Sequence, residues 1–267
     1  MKRFLLLIFL WQTPLAYANK NLEDPLRETT SLGDIYWSEK KIIARGSVPP
    51  NLQASNIHVA RIEAEQKASK MAFENLLKMV DLINFSGKMP FKSVLETQKL
   101  TQEKVLDVVK KNITYETTFF SDGGVDMKIN MSLLALTPII LDLMTTQPAS
   151  NGVARDVELF SGLILNSKGL AARKAIAPRI RDESGKEVYG PGSVLPGEAL
   201  KWGFVGYTKS LEVAIRDTRV AGKPLIIRPL RTAENESADF LIANTDLAKF
   251  AQIQLALKEA RVMIVVD

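Results

Sequence analysis

From Asn56 to Ile83, apolar side chains recur at three- and four-residue steps: Val59, Ile62, Ala68, Met71, Ala72, Leu76, Met79, Val80 and Ile83. Charged residues fill the gaps, among them Arg61, Glu63, Glu65, Lys67, Lys70, Glu74 and Lys78. The spacing predicts one amphipathic helix of more than about six turns, rich in strong helix formers. Glu63 and Lys67 add an (i, i+4) pair in the favourable order. A helix of this kind must bury one side. Its alanine stripe suits close packing on a sheet better than a coiled-coil arm.

The flanking segments supply that sheet. Ile35-Tyr36-Trp37 and Ile42-Ile43-Ala44 read as short extended runs, closed by Pro49-Pro50. After Gly87 and Pro90, a second helix is expected over Thr101 to Lys111. Two strand-like runs follow, Ile113 to Phe120 and Val125 to Leu133, around the hairpin signal Asp122-Gly123-Gly124. Val125, Met127, Ile129 and Met131 alternate with Asp126, Lys128 and Asn130, which predicts one buried and one wet face. Strand, helix, helix, strand, strand is an α+β layer pattern.

The pattern restarts beyond Gln147 to Gly152, a stretch with linker chemistry. Strands are expected at Leu159 to Leu165, Ile176 to Arg181, Lys186 to Tyr189, Leu225 to Arg228, Phe240 to Ala243 and Arg261 to Val266. Asp182-Glu183-Ser184-Gly185 is a second hairpin signal, and Pro191, Gly192, Pro196 and Gly197 mark a long turn. Helices are expected over Thr208 to Arg216 and from a cap at Asn244 or Thr245 to about Leu257. The fold class is therefore α+β, with two small domains, each a sheet covered by helices. The expected divisions are 1–18, a signal peptide; 19–34, a flexible lead-in; 35–146, the first domain; 147–156, a linker; and 157–267, the second domain.

The signal peptide rests on three features. Lys2 and Arg3 open the chain, Phe4 to Trp11 is uninterruptedly apolar, and Ala16 and Ala18 place small residues before a cut at Asn19. The apolar run is too short for a stable membrane anchor, which takes about 20 residues. Lys2 and Arg3 also carry two of the five excess positive charges. Residues 19–156 carry 17 basic and 17 acidic side chains. The remaining excess lies in the second half and is too small for a nucleic-acid footprint.

Several chemistries are excluded by composition. There is no cysteine, hence no disulfide, thiol nucleophile, lipidated cysteine or Cys/His zinc cluster. The one histidine, His58, sits at the mouth of the long helix with no orienting partner in sequence, and reads as a cap or packing residue. Ser38-Glu39-Lys40-Lys41 matches S-x-x-K but lacks the companion motifs of penicillin-recognising enzymes. Asp122 with Asp126, and Glu234 and Glu236 with Asp239, are too few oxygen ligands for a tight calcium loop and read as a hairpin tip and a solvated loop. No glycine pattern cradles phosphate. No catalytic residue, metal ligand or cofactor is assigned. What remains is surface. Arg179 and Arg181, on alternating strand positions, with Arg228 and Arg231, are the candidate partner contacts. Trp37, Trp202, Phe204 and Tyr207 read chiefly as core.

Three segments also carry a resemblance: Ala44-Arg45-Gly46, the run Ala60-Arg61-Ile62-Glu63-Ala64-Glu65-Gln66-Lys67-Ala68, and Ala72-Phe73-Glu74-Asn75-Leu76-Leu77. Together they resemble the bacterial 20-kDa-lipoprotein-like domain, over roughly Ile35 to Leu136. Flagellar proteins of the FlgP and FlgT kinds carry related domains. The resemblance implies no catalytic residues. It implies an exported, periplasmic protein, associated with the outer membrane or flagellar base and contacting envelope or flagellar proteins or itself. This chain departs from lipoprotein members in having no cysteine to lipidate. The second half, including Ala177-Pro178-Arg179-Ile180 and Arg261 to Asp267, resembles the region that accompanies that domain. The reading is a non-enzymatic contact protein. The alternative is a periplasmic ligand-binding protein or hydrolase, with Asp182, Glu183, Arg179 or Arg228 at a site between the halves.

Overall fold

The computed structural model describes residues 26–97, 102–144, 159–235 and 237–267. The expected signal peptide with its cut at Asn19, the linker at 147–156, and Glu236 lie outside the described residues.

The chain is α+β, and its described residues form one five-stranded sheet, two four-stranded sheets and a two-stranded hairpin. The first half forms a five-stranded antiparallel sheet in the order β1-β2-β3-β7-β6. Its strands are β1 (Arg27–Thr30), β2 (Gly33–Tyr36), β3 (Lys41–Val48), β6 (Ile113–Phe119) and β7 (Val125–Ser132). Helix α1 (Ile57–Leu82) lies over β3 and β7. Asn56 caps it, its side-chain oxygen accepting from the Val59 N–H at 3.0 Å. Helices α2 (Phe91–Thr97) and α3 (Gln102–Lys111) follow, and α4 (Thr137–Met144) ends the half.

The buried side of α1, C-cap included, keeps Ala68, Ala72, Leu76, Met79, Val80 and Ile83 of the stripe that periodicity predicts and departs from it at three positions. Ala60, Ala64, Ala68, Ala72, Leu76, Met79 and Val80 are buried, whereas Val59, Ile62 and Met71 are exposed at 38%, 57% and 40%. The cause lies beneath the helix. A Cβ added at Gly46 of β3 would stand 2.2 Å from the Ala68 carbonyl oxygen and 2.6 Å from the Ala72 amide nitrogen. Helix and strand backbones approach so closely that only the alanine row fits between them, and the larger side chains are rotated outward.

The expected flexible lead-in also needs correction. Within its described part, Arg27–Thr30 is a strand paired to Gly33–Tyr36. Asp34 fixes this ribbon. It is fully buried, accepts from Arg27 Nε at 2.7 Å and Thr29 Oγ1 at 2.8 Å, and pairs with Arg45. Burial pushes the Asp34 carboxyl up, but the bonds from Thr29 and Arg27 and the charges of Arg45 and Arg27 outweigh it, leaving the group below the usual carboxylate range.

The second half holds two four-stranded sheets. One is parallel throughout, in the order β11-β15-β8-β12, from β8 (Leu163–Asn166), β11 (Gly206–Thr208), β12 (Leu225–Ile227) and β15 (Val262–Val265). Every residue of β15 is buried. The other runs β10-β9-β14-β13, from β9 (Ile180–Arg181), β10 (Glu187–Tyr189), β13 (Arg231–Thr232) and β14 (Phe240–Leu241). The strand expected from Ile176 is thus confined to Ile180–Arg181. The helix expected from Thr208 begins at Leu211 (α6, Leu211–Arg216), because Ser210 caps it and Thr208 completes β11. The long turn contains helix α5 (Pro196–Trp202), with proline in its first turn where no N–H is needed. The C-terminal helix is broken into α7 (Leu247–Phe250), α8 (Gln254–Lys258) and intervening 3-10 turns.

Candidate contact surfaces and the joint between the halves

The two halves share one hydrophobic core. A hairpin of the first half, β4 (Asn84–Ser86) and β5 (Met89–Pro90), reaches into the second. Its backbone carbonyls accept from Ile176 (to Asn84, 2.9 Å), Ala177 (to Phe85, 2.8 Å) and Ala238 (to Gly87, 3.0 Å). Gly87 turns the hairpin at φ +58, a left-handed value that suits glycine.

Asp239 locks this insertion. The sequence suggests a solvated loop here, but Asp239 is only 5% exposed. Its Oδ1 accepts from Ser86 Oγ at 2.8 Å, the Gly87 N–H at 2.8 Å and the Arg179 N–H at 3.0 Å. Its Oδ2 lies 3.6 Å from Arg181. One carboxylate therefore satisfies donors from both halves.

The four candidate arginines are placed differently from one another. Arg179 and Arg181 are brought together, each facing an acid: Arg179 lies 3.2 Å from Glu187, and Arg181 faces Asp239. Burial raises the Glu187 carboxyl, against the pull of Arg179 and Arg181. Arg228 and Arg231 are exposed elsewhere. Arg228 reaches the Lys168 carbonyl at 3.5 Å, and Arg231 bonds the carbonyls of Thr232 and Ala233. His58 is exposed on the first turn of α1.

Among the described residues, none of those named for an interdomain site, Asp182, Glu183, Arg179 and Arg228, lines the cavity beside the joint or the groove between α1 and β6. Asp182 Oδ1 accepts from the Ser184 hydroxyl and the Ser184 and Lys186 N–H groups. The Ser184 hydroxyl bond chiefly holds its carboxyl below the usual range. Glu183 caps the Asn244 N–H at 2.8 Å. Beside the joint lies a cavity of about 20 Å³, lined by Trp37, Lys40, Thr137, Ala175, Gly203 and Tyr207 among others. That volume holds about one water. Trp37 packs edge-on against Tyr207 at 5.6 Å, both rings buried, which ties β2 to β11. Phe204 is buried too, and Trp202 carries the Arg219 guanidinium over its ring.

Lys40 stands at this cavity. Burial, then the charge of Arg219, lower its amine to about 8, against the opposing pull of Asp217. An unfolded lysine titrates near 10.4, so between pH 8 and that value the folded chain binds fewer protons than the unfolded one. Stability contributed here rises with pH across this window, and the full penalty is present below pH 8. Between pH 7.5 and 9.5, urea unfolding should show about 1–2 kcal/mol of added stability that Lys40→Met abolishes. Equal pH profiles for the two chains would refute the assignment.

The opposite edge of the first sheet is open. Strand β6 ends the sheet, and among the described residues no strand pairs with its outer side. Helix α1 covers β3 and β7 but stops short of β6, leaving Tyr115 and Phe119 exposed at 55% and 48%. A groove of about 800 Å³ runs between them, with Phe73, Tyr115 and Met127 on its floor and Lys70, Lys110 and Glu65 along its sides. Beyond it, Arg61 lies 5.7 Å over the Phe119 ring, with its Nε buried and without a hydrogen-bond partner.

These features define a two-lobed α+β protein with a packed joint and an open sheet edge. Residues 162–267 match the family model described as Treponema pallidum Tp0624, second domain. The match begins just before β8 and ends at the last residue, so it takes in both sheets of the second half. No curated protein matches the chain.

Proposed function

We propose that this chain is a non-enzymatic periplasmic protein that acts by protein–protein contact in cell-envelope or flagellar assembly. The observation that carries the reading is the contrast between joint and edge. The joint is filled by core side chains around a cavity of about 20 Å³, while β6 presents a seven-residue open edge with exposed aromatic side chains. Binding through such an edge uses backbone hydrogen bonds for affinity and side-chain pockets for specificity. The pattern from Lys2 to Ala18 supports export, and the resemblance of Ile35 to Leu136 to the lipoprotein-like domain supports the envelope. The ligand-binding or hydrolytic alternative needs a cleft that uses Asp182, Glu183, Arg179 or Arg228; Asp182 instead holds its own turn and Glu183 accepts from the distant Asn244 N–H.

The test is cross-linking in living cells from photo-reactive side chains placed at Arg228 and Tyr115, both exposed, with fractionation of the same cells. Recovery of outer-membrane or basal-body proteins, with the mature chain starting at Asn19, is expected. A chain that stays in the cytoplasm, or that cross-links to nothing while a control protein does, would overturn the reading.

A further inference from the structure

We propose that the groove between α1 and β6 is the docking site for an extended, acidic segment of a partner protein, which adds to the sheet as a sixth strand. The inference rests on the contact reading above and gives that contact a place and a chemistry.

Among the described residues the edge has no proline, no bulge and no inward-facing charge. Natural sheets blunt their edges with proline, bulges or inward-facing charges. Strand β6 (ITYETTF) contains no proline, and its register with β7 is unbroken from Ile113↔Met131 to Phe119↔Val125. Its single charge, Glu116, alternates away from Tyr115 and Thr117 and pairs with Lys128 at 3.3 Å on the neighbouring strand. On the helix side, Ile113, Tyr115, Thr117 and Phe119 follow one another at two-residue steps, beside a β7 row that α1 buries. An added strand would continue this face. Its alternate side chains would enter the groove over Phe73, Tyr115 and Met127.

Charge selects the occupant. Lys70 and Lys110 border the groove and Arg61 stands beyond its end, against Glu65 alone. Lys70 reaches its own helix partner, Glu74, only at 3.9 Å. Acidic side chains on the helix side of an added strand meet Lys110, Arg61 and a Lys70 held only weakly by Glu74, against Glu65, while Glu116 lies on the other face of the sheet. A second copy is a poorer fit. Pairing β6 antiparallel with itself over its full length sets Glu116 opposite Glu116, and like charges directly opposite are destabilising.

Hydrogen exchange on the full chain tests this, using two synthetic heptapeptides as probes. One alternates valine with aspartate; the other alternates valine with lysine. The aspartate peptide should slow exchange of the backbone amides in 113–119, and the lysine peptide should not. The double variant Lys70→Glu/Lys110→Glu changes only side chains on the surface and should fold. It should bind the aspartate peptide about tenfold more weakly and accept the lysine peptide. No protection by either peptide overturns the docking site. Equal protection by both overturns the acidic chemistry. Protection of 113–119 without peptide, rising with protein concentration, overturns the foreign strand in favour of a second copy. A partner cross-linked in cells from Arg228 but not from Tyr115, which lines the groove, would leave the contact reading standing and overturn this groove.

Discussion

Gly46→Ala should lower the unfolding temperature by roughly 6–12 °C, equivalent to about 3 kcal/mol in a chain of this size. The added methyl would lie 2.2 Å from the Ala68 carbonyl oxygen and 2.6 Å from the Ala72 nitrogen. Both are helix backbone, so no side chain can rotate aside. Either α1 lifts from β3, loosening the contacts of Ala64, Ala68 and Ala72, or the strand bends. Overpacking of this kind costs more where the neighbours cannot give. Ser47→Ala, one residue on and exposed, is the control and should stay within about 0.5 kcal/mol. Scanning calorimetry of the two variants decides the matter. Equal midpoints would show that the helix does not rest on Gly46.

Asp239→Ala should cost about 3 kcal/mol, because it leaves the buried Ser86 hydroxyl and the half-buried Gly87 and Arg179 N–H groups without their acceptor. Its signature is local as well as global. Amides that the joint protects, at Ile176, Ala177 and Ala238, should exchange faster than the rest of the core, because their acceptors sit on the β4–β5 hairpin. Asp239→Asn retains an oxygen acceptor and should lose about half as much. A single transition within about 2 °C of the unsubstituted chain would show that core packing alone holds the halves together.

How far the sequence reveals this molecule can be judged residue by residue. Periodicity locates α1, since 26 residues of repeating pattern leave few alternatives. It places the buried stripe from Ala68 to Ile83 but errs at Val59, Ile62 and Met71, which outrank alanine in hydrophobicity while the close approach at Gly46 admits only alanine. Alternation from Val125 to Met131 reveals β7 and its buried face. The short strands of the second half are less legible. Those of two to four residues carry too few positions for any period, and α5 starts at a proline that suggests a turn. Asp239 is the instructive miss. With Glu234 nearby it resembles a solvated acidic loop, and its partners Ser86 and Gly87 are 153 and 152 residues away. No local pattern encodes a contact at that separation. Charge and strand alternation single out the four arginines; the structure keeps Arg179 and Arg181 together at the joint and leaves Arg228 and Arg231 on the open surface.

The inserted hairpin also orders events in time. Strands β4 and β5 emerge from the ribosome long before Ile176 and Ala238, the residues that bond to them. A chain growing at about 5–20 residues per second presents a finished first half while its second half is still being made. The Gly87–Asp239 contact closes a loop of 152 residues, and contacts of such long separation form late and slowly. The first half is then expected to act as a template for the second. A fragment cut at residue 162, where the family match begins, lacks that template and has buried donors with nothing to receive them. Its refolding should be slower and its aggregation faster than those of the intact chain. Supplying residues 26–144 in trans is the natural rescue.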